Sequence, residues 1–72
     1  MTVTELRTNL THYSNRLQEL RDESAKDRDR TSDPVARHGY SREVAAYNLS
    51  LSALFAWTNG EFGEDFTEDG AQ

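Results

Sequence analysis

The side chains able to carry acid–base or nucleophilic chemistry are few, and they do not converge. The histidines are His12 and His38, and they fall on different segments. Catalysis needs titratable groups gathered in one pocket. His12 flanks an apolar stripe and reads as a boundary side chain. His38 precedes Gly39, where a cation suits the end of a helical turn. No His-x-x-x-His or Glu-x-x-His spacing occurs, and there is no cysteine, so no metal site is expected. Serines are numerous, yet none sits in a Gly-x-Ser-x-Gly turn. No glycine-rich phosphate loop occurs. The sequence therefore predicts no catalytic residue, no metal ligand and no cofactor, and a chain that binds rather than reacts.

Binding residues are easier to place. Trp57 lies near the end of an apolar segment, and Trp and Tyr dominate binding hot spots. Beyond it, residues 61–72 hold Glu61, Glu64, Asp65, Glu68 and Asp69 with no base. Phe62 and Phe66 stand four apart among these acids, so one helical turn would put both on one face. Acid–aromatic alternation of this kind suits a segment that docks on a basic, apolar groove. It equally suits a fold-back over the chain's own core near Trp57. Gly63 opposes a preformed helix, costing about 1 kcal/mol relative to Ala. Trp57, Phe62, Glu64, Asp65 and Phe66 are the candidate partner-binding residues.

The bases point elsewhere. Arg16, Arg21, Lys26, Arg28 and Arg30 interleave with Glu19, Asp22, Glu23, Asp27 and Asp29. A nucleic-acid site needs a basic stripe; this pattern reads as a salt-bridged, solvated face. The formal net charge is −5, and residues 1–60 are balanced, so the whole excess lies in the last twelve residues.

The elements that must position these residues are helical. Val3, Leu6, Leu10, Tyr13, Leu17 and Leu20 are spaced 3, 4, 3, 4, 3, one face at the coiled-coil period. Thr2 with Glu5 fits a capping box. The spacing predicts a helix over 3–30, its last third a polar overhang. Pro34 disfavours helix at the residue before it, and Asp33 with Pro34 fits an N-cap followed by N1. A connector over 31–40 is expected, with a short turn at 34–38 stopped by Gly39. A second helix is expected over 42–58, ended by Asn59-Gly60.

That second helix carries two stripes. Tyr40, Val44, Tyr47, Leu51 and Leu54 are spaced 4, 3, 4, 3, a seam a little shorter than that of the first helix, so the two could lie side by side. Ala45, Leu49, Ala53 and Ala56 are spaced 4, 4, 3 on another side. One neighbour does not cover both, and a helix apolar on most sides is usually central in a bundle. Seventy-two residues without disulfides make a marginal monomer, for which oligomerisation is the usual remedy. The fold class is therefore all-α: a hairpin of two main helices over 1–60, dimerising into a four-helix bundle through Ala45, Leu49, Ala53 and Ala56, with 61–72 an acidic tail. The long connector leaves antiparallel, parallel and exchanged topologies open.

No apolar run approaches the roughly 18 residues of a membrane span, and the N-terminus lacks a leader pattern, so a cytoplasmic location, in the producing cell or in a host cell, is expected. Asn9-Leu10-Thr11 and Asn48-Leu49-Ser50 match the glycosylation pattern but fall inside expected helices. The expected function is a non-catalytic interaction or regulatory protein, a small helical dimer that binds a protein partner through helix faces and its acidic tail. One alternative is a phage-type inhibitor or DNA mimic that blocks a host nucleic-acid-handling enzyme. Against it, the neutral body lacks the arrayed carboxylates that mimicry needs. The other is a dimeric DNA-binding regulator using residues 7–30.

Overall fold

The computed structural model describes residues 1–65 and is built from two helices, α1 (Val3–Arg30) and α2 (Pro34–Trp57), packed against each other as a hairpin. Helix α1 starts where the capping pattern places it. The Glu5 amide donates to Thr2 Oγ1 at 3.0 Å, and the Thr2 amide donates to Glu5 Oε1 at 2.7 Å. Two of the donors that a helix start leaves unpaired are thereby satisfied reciprocally.

The connector is shorter than its composition suggests. Only Thr31, Ser32 and Asp33 separate the helices. Asp33 caps α2 by accepting from the Val35 amide at 3.2 Å, and Pro34 occupies the first turn, where its missing donor costs nothing. The expected stop at Gly39 does not occur, and residues 34–38 are the first turns of one continuous 24-residue helix. Glycine in a helix interior lowers stability by about 1 kcal/mol without ending the helix, and here the packing of the following stripe carries the helix through. Arg37 completes the corner. Its Nη1 donates to the carbonyls of Arg28 at 2.9 Å and Thr31 at 3.2 Å, covering acceptors left open at the end of α1.

A three-residue connector makes the hairpin antiparallel. On α2 the packed face is the expected one: Tyr40, Val44, Tyr47, Leu51 and Leu54 are all buried or half-buried. On α1 the face differs from the expected stripe. It runs through Leu10, Ser14, Leu17, Arg21, Ser24 and Arg28, while Val3, Leu6 and Tyr13 are exposed. Register explains the first two. Ser24 donates to Glu43 at 2.8 Å, and Arg21 to Asn48 at 3.4 Å. That pairing exhausts α2 near Leu10, so the first two turns of α1 project past its end. Tyr13 lies on the flank of the seam, whose centre at that level is Ser14.

The seam is consequently half polar. Ser14 and Ser24 are buried, and among the apolar side chains of the described residues only Leu17 and Leu51 are. Both serines have partners, and no buried side-chain polar atom among the described residues lacks one.

After Trp57 the chain turns back. The amide of Thr58 donates to the Leu54 carbonyl, Asn59 takes a left-handed conformation at φ 55°, and the Gly60 amide donates to the Phe55 carbonyl at 2.8 Å. This is the six-to-one closure of a Schellman motif, and it confirms Asn59-Gly60 as the helix stop. Residues 61–64 then lie as a strap against both helices.

Candidate interaction surface

The strap is held from four directions. The Gly63 amide donates to Ser14 Oγ at 3.0 Å, and the Glu64 amide to the Leu51 carbonyl at 3.2 Å. The Glu64 carboxylate accepts from Arg21 Nη1 and forms an ion pair with it. Upstream, Arg7 pairs with Glu61 at 2.7 Å and sets its guanidinium 5.7 Å from the Phe62 ring centre, within cation–π range. Thr58 Oγ1 links helix end to strap, donating to the Leu54 carbonyl at 2.7 Å and accepting from the Phe62 amide at 3.1 Å. The strap covers Leu51, whose exposure falls to 0%.

Arg21 is the electrostatic centre of this contact. Its side chain is 18% exposed. The hydrogen bond to Glu64 is the largest influence and holds the guanidinium above its ordinary pKa; burial opposes this, and the charges of Glu64 and Asp22 add to it. A raised basic pKa means the stabilisation is complete below the ordinary arginine value and lost only as pH rises through the folded one. The Arg21 side of this contact therefore does not vary across the neutral range.

Phe62 and Glu64, expected to face a partner, are thus engaged by the chain's own helices. The packing runs across the boundary expected between residues 60 and 61. Asp65 is exposed, and Phe66 lies outside the described residues. Neither Ser14 nor Gly63 is singled out by periodicity. The available signal is a glycine between Phe62 and Glu64 in a stretch too broken for helix, which marks a positive φ or a close approach.

The opposite side of α2 is bare. Leu49 is 72% exposed and Trp57 88% exposed, and Ala45, Ala53 and Ala56 are exposed with them. Ala46, which the two-stripe reading omits, belongs to this face through its spacing of 3, 4, 4 to Leu49, Ala53 and Trp57. From Val44 to Gly60 no residue carries a charge. Neither α1 nor the strap covers this surface.

The bases of α1 are mostly matched by neighbouring acids: Arg16 with Glu19, Arg28 with Asp29, and Arg30 with Asp27. Exposed pairs of this kind are worth between zero and about 1 kcal/mol. His12 and His38 are exposed and lie on different helices. No group of three His, Asp or Glu among the described residues is arranged to hold a metal. No described helix is long and apolar enough to cross a membrane.

Comparison of the chain with protein-family models, curated proteins and solved structures gives no match.

Proposed function

We propose that this chain is a non-catalytic interaction protein that works as a homodimer, two hairpins joining through the outer face of α2 into a four-helix bundle. In this reading the dimer presents its helix faces and the acidic residues that follow the strap to a protein partner. The observation that carries it is the uncharged outer face centred on Leu49, which leaves Leu49 and Trp57 in water.

A second copy is the occupant the face suits best. An uncharged face of alanines around one leucine and one tryptophan lets two helix backbones approach closely while burying the large side chains. The internal seam supplies few buried apolar groups, and small chains without disulfides usually need further burial from association. The strap contributes indirectly, since it occupies the other side of α2 and leaves this face as the one open to another helix.

Analytical ultracentrifugation at micromolar concentration tests the proposal. The expected result is a dimer for the unaltered chain and a monomer for Leu49→Glu, with equal helicity by circular dichroism. Because Leu49 is exposed within one chain, the substitution leaves the hairpin intact. A folded, monomeric unaltered chain at that concentration overturns the reading.

A further inference from the structure

The outer face of α2 is not uniform along its length, and the distribution of its side chains selects an orientation. Going from N- to C-terminus it offers Ala45 and Ala46, then Leu49, then Ala53 and Ala56, then Trp57. The charges that bracket it in the sequence are Arg42 and Glu43 before the face and Glu61 after it. We infer that two copies pair their α2 helices antiparallel, with Leu49 seated on the partner's Ala53 and Trp57 on the partner's Ala46. This rests on the self-association proposed above and specifies its geometry.

Two features meet in that one register. First, each large side chain faces a small one, which is how ridges fit grooves at close helix spacing. Leu49 and Ala53 face each other twice by symmetry, and so do Trp57 and Ala46. Ala45 and Ala56 then oppose each other, so no large pair collides and no large side chain faces water. Second, a two-fold axis makes such an interface self-complementary, so one set of residues serves both copies.

A parallel pair does the reverse for the large side chains. Leu49 meets Leu49, Trp57 meets Trp57, and Arg42 meets Arg42. Like charges directly opposed are unfavourable.

Cysteine cross-linking decides between the two, since the chain has no cysteine of its own. Ala45→Cys and Ala56→Cys are prepared separately, and each is oxidised alone and as an equimolar mixture. Both positions are exposed and small. In the antiparallel pair, Cys at 45 of one copy opposes Cys at 56 of the other. In a parallel pair these positions lie about 16 Å apart along the axis, too far for a disulfide. The expected result is a covalent dimer that forms several-fold faster in the mixture than in either variant alone. Covalent dimer forming in each variant alone and not enhanced in the mixture overturns the antiparallel arrangement. So does a chain that ultracentrifugation shows to be dimeric and that cross-links in none of the three samples. A monomeric unaltered chain instead removes the self-association itself, so the two failures are told apart on the same preparation.

Discussion

Gly63 meets two demands that no other residue type satisfies together. Its φ of +82° lies in the left-handed region, and a Cβ there would stand 2.7 Å from the Phe55 amide nitrogen and still closer to the Leu51 carbonyl. The strap can lie this near the α2 backbone only where there is no side chain. Gly63→Ala is therefore expected to lower stability by about 2 kcal/mol, combining left-handed strain with displacement of the strap. Urea unfolding followed by helicity measures it, and an unchanged midpoint would show that the strap adds nothing to the fold. The loss is bounded by what the strap contributes, because a strained strap can detach and leave the hairpin standing. Little of this site was legible beforehand. Phe62 was open to fold-back, but the strap that carries it is held at Gly63 by Ser14, a buried serine that hydrophobic periodicity counts against the core. Arg21 was equally hidden, since among alternating charges nothing distinguishes the one that faces the seam.

At the scale of the helices, the second one was the more legible. Its seam from Tyr40 to Leu54 and its bare face of Ala45, Leu49, Ala53 and Ala56 stand in the structure as the spacing implies. Local rules also placed both starts, because capping is decided by neighbours: Thr2 with Glu5, and Asp33 with Pro34. Gly39 misled for the opposite reason. Its effect is a modest local penalty, and packing at Tyr40 and Val44 outweighs it. The first helix misled because Val3, Leu6 and Tyr13 continue an apolar rhythm past what the partner helix covers. Register, which sets where α2 ends against α1, depends on a connector length that sequence alone overestimated. A clear expectation follows at Gly39. No atom lies within 4 Å of the Cβ it lacks, and its φ is not positive. Gly39→Ala should stabilise the chain by about 0.5–1 kcal/mol, which raises Tm by roughly 2–8 °C for a domain of this size. Thermal unfolding checks it, and the sign is opposite to that at Gly63.

The molecule as a whole combines a short-range scaffold with a long-range fastening. Helices α1 and α2 meet through a connector of three residues, so much of their contact is between segments close along the chain. The strap is different. Gly63 meets Ser14 across 49 positions, and Glu64 meets Arg21 across 43. Joining distant segments requires closing a long loop first, which is entropically slow. This order of assembly has a kinetic consequence. The hairpin is expected to form at the rate set by its local contacts, with the fastening closing after the folding barrier is crossed. Substitutions in the strap then leave the folding rate nearly unchanged and accelerate unfolding by close to the full equilibrium effect. Stopped-flow denaturant jumps on Glu64→Gln and Gly63→Ala should show coincident refolding limbs and raised unfolding limbs. Slowed refolding would place the strap in the nucleus. The ion pair between Arg21 and Glu64 thus acts less on whether the hairpin forms than on how long it stays closed.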